Sequence, residues 1–128
     1  MIESILDSVK KSLGLSADYD AFDHDIVMHV NSAFSTLHQL GVGPAEGFEI
    51  TGADEEWASF LGSDPVLNSV KTFVYLDVRM LFDPPSTSYM ISAMEKRIDE
   101  AKWRINVYRE SKTYAPLKER LPIDGGIP

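Results

Sequence analysis

Apolar residues recur at helical spacing in four segments of the chain, and glycine, proline and small polar residues separate these segments. In the first segment Ile5, Val9 and Leu13 repeat at steps of four, as they do on a helix with one buried face. In the last segment steps of three and four alternate. The pattern predicts four long helices: over Ile2–Leu13, from a cap at Asp20 or Asp23 to about Leu40, from a cap at Asp64 to Phe82, and from about Ser88 to Ser111.

The connections between these segments predict the rest of the fold. Residues 41–52, GVGPAEGFEITG, carry four glycines and a proline, so we expect irregular backbone with a short strand at Phe48–Thr51, followed by a short helix over Asp54–Leu61. Residues 112–128 hold three prolines and two glycines, which favours an extended or mobile tail. The sequence therefore predicts an all-α fold: a small helical bundle in one domain, residues 1–111, that ends in a long helical hairpin and is followed by this tail.

The stretch LFDPPSTS at residues 81–88 joins the last two predicted helices. Asp83 precedes a proline, and this position disfavours helical backbone, so the third long helix should end at Phe82. Ser86, Thr87 or Ser88 can cap the helix that follows. Because a short connection places two helices side by side and antiparallel, we predict a rigid proline elbow at residues 83–85 inside one domain.

The last predicted helix carries the most informative surface. Its apolar seam is made of Ile91, Met94, Ile98, Ala101, Ile105 and Tyr108. Trp103 lies off this seam among arginines, a composition typical of interface hot spots. The alternative is that Trp103 packs under the first helix or under the tail, and the sequence leaves both open. The candidate interface residues are Trp103, Arg97, Arg104, Arg109 and, in the tail, Tyr114 and Leu117.

The net charge of the 128-residue chain is −8, and it is unevenly spread. Residues 1–70 hold two basic and twelve acidic residues, whereas residues 71–128 hold ten basic and eight acidic ones. This balance argues against a protein built to grip nucleic acid, because such binding relies on neutralising phosphates. The uneven spread either serves solubility or helps copies to meet, acidic half against basic half.

Residues with catalytic or metal-binding chemistry are few. The chain has no cysteine and no phosphate-binding loop, nucleophile elbow or H-E-x-x-H motif. The aspartates of Asp18–Asp25 do not form a calcium loop, because Phe22 stands where a ligand belongs. Asp25 and His29 could pair on one helix face, but a metal protein or small enzyme built on His24 and His29 would need further ligands. We predict no enzyme activity, metal or cofactor, and neither a signal peptide nor a membrane span.

The second half of the chain resembles the head-to-tail connector (adaptor) proteins of long-tailed bacteriophages. An apolar helix, a proline elbow and a long helix ending in a W-R-x-N-like stretch carry the resemblance, which covers about residues 62–110. The matching segments are VLNSVKTFVYL at residues 66–76, RMLFDPP at residues 79–85, and SYMISAMEKRIDEAKWR with the following INV at residues 88–107.

This resemblance implies a structural virion protein. Such a subunit forms a homo-oligomeric ring, usually a dodecamer, beneath the portal protein. The ring extends the DNA channel, lets DNA pass without specific binding, and offers a docking surface to head-completion or tail proteins. The implied location is the head-to-tail junction of the virion, after assembly in the host cytoplasm. The alternative function is that of a bacterial cytoplasmic helical adaptor or regulator that binds one protein partner.

Overall fold

The computed structural model describes residues 3–120 of the backbone and the side chains as far as residue 110. This part of the chain forms five helices and no strand: α1 (Ile5–Ser12), α2 (Asp23–Gln39), α3 (Trp57–Leu61), α4 (Leu67–Phe82) and α5 (Ser88–Arg120). The predicted all-α class is confirmed. The strand predicted at Phe48–Thr51 is absent, because the backbone N–H and C=O of Ile50 bond to the Asn31 side chain, at 2.8 and 3.0 Å, instead of a neighbouring strand.

Helix α4 is the central element of the fold. It contacts α1, α2 and α5, and its buried residues join a single apolar core. That placement follows from its sequence, since a helix that is apolar on most sides is usually enclosed by others. Core side chains that are fully shielded from solvent come from α1 and from the three long helices: Ile5, Val9, Ile26, Val30, Ala33, Leu37, Val70, Val74, Val78 and Ile105. Ile5 and Ile105, a hundred positions apart in the chain, therefore share one core.

Helix α1 is fixed at its start by a side-chain cap and at its end by an ion pair. The Ser4 hydroxyl accepts a hydrogen bond from the Asp7 N–H at 3.2 Å, and Gly14 follows the helix at φ 83°, as a glycine stop does. Lys10, only 1 % exposed, donates to the Ala17 carbonyl at 3.0 Å. Its ammonium also lies 2.8 Å from an oxygen of Asp23, as an ion pair without the angles of a hydrogen bond. Lys10 thus ties the loop between α1 and α2 to α1.

This ion pair explains why the predicted cap of α2 is wrong. The helix begins at Asp23 after Phe22, and no side chain caps it. Asp23 lies inside the first turn, where its carboxylate is held by Lys10. Asp20 takes part only through its carbonyl, which accepts from the Asp23 N–H at 3.2 Å. The sequence showed the acidic residues of a helix start, but a residue of α1 determines what they bind.

The loop between α2 and α3 is irregular but well packed. Phe48 contacts the rings of Phe34 and Phe60, with centroids 5.2 Å apart in both pairs. Gly43 has φ +96°, and a Cβ at this position would overlap the Phe60 ring, so glycine is required here. Trp57 in α3 is buried, and its indole N–H donates to the Ser8 hydroxyl at 2.8 Å. This half of the molecule is therefore held by aromatic side chains and specific hydrogen bonds.

The proline segment joins α4 to α5 as a tight antiparallel turn. Asp83 leaves helical backbone at φ −149°, and its carbonyl accepts a hydrogen bond from the Arg79 guanidinium at 2.7 Å. On the other side the Thr87 hydroxyl accepts from the Met90 N–H at 3.2 Å, so Thr87 caps α5. The start of α4 faces residues 97–104 of α5 across a groove, so the two helices run in opposite directions, as predicted.

Helix α5 is longer than its predicted range. It continues from Ser88 to Arg120, so the predicted end at Ser111 and the predicted extended backbone of residues 112–120 are wrong. Around Pro116, which costs helix stability, stand strong helix formers: Ala115, Leu117, Lys118, Glu119 and Arg120. Proline content therefore misled the prediction in this stretch. Residues 121–128, the rest of the predicted tail, lie outside the described residues.

Candidate interaction surface

Helix α5 uses one face for packing and leaves the other exposed. Ala101 and Ile105 are buried, and Ile98 and Tyr108 pack against the same core. From Ile98 to Tyr108 the predicted seam therefore faces inward, whereas Ile91 and Met94 are half-buried near the start of α5. At 100° per residue, Trp103 points almost directly away from the seam, and Val107 follows it one turn later. The side of α5 opposite the core therefore carries apolar residues that the subunit itself does not cover.

Trp103 is 64 % exposed, so it packs neither under α1 nor under any other described part of the subunit. The sequence left that arrangement open, and the structure excludes it for the described residues. Val107 is 41 % exposed beside it. A tryptophan that its own subunit leaves exposed keeps a large apolar area in contact with water, and a partner protein could bury that area. The role of Trp103 in an interface remains a prediction, but it has the accessibility that this role requires.

Arg104 follows Trp103 in α5, Arg97 lies nearly two turns before it, and both arginines line a shallow groove between α4 and α5. The groove holds about 200 Å³ and is also lined by Asn68, Ser69, Thr72, Glu100 and Ala101. Both arginines are exposed, and within residues 3–110 neither forms an ion pair. We name the surface formed by Trp103, Val107, Arg97 and Arg104 the tryptophan face. It combines an exposed aromatic ring with two guanidinium groups, the residue types that are enriched at protein interfaces.

Arg109 differs from the other two arginines because it is used within the subunit. Its guanidinium donates to the Asn106 side chain at 3.1 Å. A Cβ placed on Gly41 would lie 2.9 Å from the Arg109 Cδ, so the arginine stem covers the end of α2. Arg109 therefore joins α5 to the body of the subunit. Tyr114 and Leu117, the remaining predicted interface residues, lie outside the described side chains.

A second exposed aromatic surface lies at the other end of α4, and the sequence reading missed it. Phe22 contacts Phe82 edge to face with centroids 5.3 Å apart, and Tyr19 contacts Phe22 at 5.9 Å. Tyr19 and Phe22 are nevertheless 49 % and 40 % exposed. We name Tyr19, Phe22 and Phe82 the aromatic ledge. Two aromatic residues in the acidic stretch DYDAFD were the available signal, but only the fold brings Phe82 to them.

A sequence profile described as phage connector protein matches residues 5–112, which is most of the chain. The chain belongs to this family. The match begins in α1, so it also covers the first half, where the sequence resemblance carried no sharp motif. Comparisons with curated proteins and with solved structures gave no significant match.

Membership of the connector family defines a structural role in a bacteriophage, in assembly with other virion proteins. This is the coarse function that the sequence resemblance implied. Within residues 3–120 no helix is both long and apolar enough to cross a membrane. The tryptophan face and the aromatic ledge each offer exposed aromatic side chains to other proteins.

Titratable side chains do not form a metal-binding group in the described part of this connector. No three His, Asp or Glu side chains there lie close enough to hold a metal ion, and Asp25 and His29 form no ion pair. Asp77 on α4 is the notable acid: burial raises its pKa, while the nearby positive charges of Lys102 and His29 lower it in part. It lies between packed helices, so its ionisation bears on stability.

Proposed function

We propose that this connector forms a homo-oligomeric ring beneath the portal protein of a long-tailed bacteriophage. The ring extends the DNA channel and offers head-completion or tail proteins a surface on which to dock. The observation that carries the proposal is the family match over residues 5–112. The protein would act at the head-to-tail junction of the virion, after assembly in the host cytoplasm.

The shape of the subunit supports this proposal. A ring repeats one subunit geometry, so each copy must keep a fixed angle between its parts. Here α4 and α5 are held by a short turn with a hydrogen bond on one side and a helix cap on the other. The core reaches across both helices through Val74 and Ile105. A subunit of this kind can be repeated with little variation.

The exposed surface of α5 supports contact with other proteins. In the proposed ring Trp103, Arg97 and Arg104 lie at a subunit or partner contact, where Trp103 would be the main apolar anchor. Arg109 contributes from its place beside Gly41, and we also assign Tyr114 and Leu117, whose side chains lie outside the described ones, to this contact. None of these roles needs a catalytic group or a cofactor, and we propose neither for this protein.

The charge of the first half supports passage of DNA without binding. Residues 1–70 carry twelve acidic and two basic residues. A channel lined by this half would repel phosphates, so the polymer would slide through instead of being held. Placing the acidic half toward the channel is part of the proposal. It predicts that the protein does not retain duplex DNA on a binding assay at moderate salt.

Electron microscopy of purified protein mixed with portal-bearing capsids tests the proposed function directly. We expect an added ring of density below the portal, and capsids that lack the portal serve as the control. Absence of added density on portal-bearing capsids at saturating protein would contradict the proposal. A one-to-one complex with a single host protein, together with no added density, would favour the adaptor alternative instead.

A further inference from the structure

The aromatic ledge and the tryptophan face lie at opposite ends of α4. Phe22 in the ledge contacts Phe82, the last residue of that helix, whereas the groove of the tryptophan face is lined by Asn68 and Thr72 near its start. At 1.5 Å per residue these positions are roughly 15–20 Å apart along the helix axis. One subunit therefore cannot cover its own tryptophan face with its own ledge.

The two surfaces carry opposite charge. Exposed carboxylates surround the ledge, and none has an ion partner within residues 3–110: Asp18, Asp20 and Asp25. The tryptophan face has Arg97 and Arg104, also without ion partners in the same range. No lysine or arginine occurs between Lys11 and Lys71. The cations beside the ledge are engaged within the subunit: Lys10 is buried against Asp23, and Arg79, one turn before Phe82, bonds to Asp83.

Both surfaces also expose aromatic rings that would be shielded by contact. Tyr19 and Phe22 on the ledge and Trp103 on the tryptophan face are each at least 40 % exposed. Aromatic pairs prefer edge-to-face or offset contacts, and the ledge already shows such an arrangement with Phe82. Apolar contact at the centre with opposite charges beside it is the usual composition of a specific interface.

We propose that the occupant of the tryptophan face is the aromatic ledge of a second copy of this chain. The carboxylates of Asp18 and Asp20 then lie against the guanidinium groups of Arg97 and Arg104, and Trp103 packs against Tyr19 and Phe22. Because the two surfaces differ, each copy offers one to the neighbour on each side, and the contact repeats around a closed ring or along a filament. This inference rests on the proposed ring, for which it supplies the contact between subunits.

Charge reversal in matched pairs tests the contact. One variant carries Arg97→Glu and Arg104→Glu, and the other carries Asp18→Arg and Asp20→Arg. Each alone places like charges opposite each other, so we expect its self-association to weaken at least about tenfold. An equimolar mixture has opposite charges at every contact when the two variants alternate, so the mixture should recover association. All four positions are exposed, and circular dichroism checks that each variant folds.

Disulfide cross-linking gives a second measurement, which the absence of cysteine in the chain makes clean. A chain with Asp20→Cys and Arg104→Cys should give a ladder of covalent oligomers under mild oxidation, both as concentrated protein and on portal-bearing particles. The control chain has Asp20→Cys and Met28→Cys, where Met28 is exposed on α2 outside both surfaces. It should give no such ladder.

The outcomes separate this inference from the proposed function. The contact is supported if the mixture of charge variants recovers self-association and only the Asp20→Cys, Arg104→Cys chain gives the ladder. If these results hold but no density is added to capsids, only the proposed function fails. The contact is overturned, while the connector ring stands, if density is added to capsids but two other results fail. In that case the charge variants associate as the native chain does, and the test and control cysteine chains give equal ladders. Burial of Trp103 only after the portal or a tail protein is added would also overturn it, since the occupant is then another protein.

Discussion

Helices α4 and α5 are antiparallel neighbours that relate to the rest of the molecule in opposite ways. Helix α4 is enclosed by α1, α2 and α5, and Phe73 and Val74 are almost fully buried. Helix α5 packs through one face, so Ile105 is buried while Trp103 is 64 % exposed. The comparison teaches that α4 serves mainly to pack the subunit together. Helix α5 keeps a whole face exposed, whereas α4 adds only its last residue, Phe82, to the exposed aromatic ledge.

The largest expected effect tests the enclosed role of α4. Phe73→Ala removes a side chain that is 1 % exposed, and we expect the free energy of unfolding to fall by about 3–5 kcal/mol because a cavity remains. Denaturant unfolding measures this loss. Thr72→Ala, at the exposed neighbouring position, is the control and should change stability far less. Equal losses in both variants would contradict the central placement of α4.

The elbow that holds the two helices together should have the next effect. Replacing Pro84 and Pro85 by glycine raises the entropy of the unfolded loop, so we expect a loss of about 1–2 kcal/mol and a looser angle between α4 and α5. Thermal melting and assembly on portal-bearing particles are the measurements. Ser86→Gly adds glycine to the same turn without removing a proline and is the control. If the double variant melts and assembles like the native chain, the two prolines are not what makes the elbow rigid.

A prediction about pH sharpens the comparison where α4 and α5 meet. Burial raises the pKa of Asp77 above its ordinary value of 3.8, with Lys102 and His29 opposing. Because the folded state then binds the proton more tightly than the unfolded state, stability falls as pH rises from the ordinary carboxyl pKa through the raised one. Asp77→Asn removes this loss. It should therefore be more stable than the native chain at neutral pH and lose that advantage in acid.

Unfolding measured across pH checks this expectation. Asp99→Asn, on the exposed side of α5, removes the same charge away from the packed helices and serves as the control. If the native chain were more stable than Asp77→Asn at neutral pH, the attraction of Lys102 and His29 would outweigh the effect of burial. The assignment of Asp77 as a destabilising buried acid would then be wrong.

The smallest expected effect on stability tests the outer face of α5. Trp103→Ala should change the free energy of unfolding by no more than about 0.5 kcal/mol, since the ring is exposed in the subunit. Assembly should nevertheless weaken clearly. Met28→Ala, at a position 58 % exposed on α2, is the control and should affect neither. A large loss of subunit stability on removing Trp103 would show that the tryptophan face belongs to the fold instead of to an interface.

Much of the fold was predictable because local pattern determines where a helix begins and ends. The seam of α5 was correctly predicted to face inward, and so was the end of α4 before Pro84. Trp103 could be placed off the seam from spacing alone. Its exposure could not be predicted, since that depends on whether α1 or another element covers it.

The sequence by itself determined the helical class, the stops at Gly14 and Gly41, and the turn at Asp83, because each depends on a residue's own backbone preferences or on neighbours within one or two helical turns. Tertiary structure decided the features that involve distant partners. Asn31 holds Ile50 across 19 positions, and Phe22 meets Phe82 only after the chain has folded. Such pairings depend on how whole helices pack, and no short stretch of sequence contains both partners.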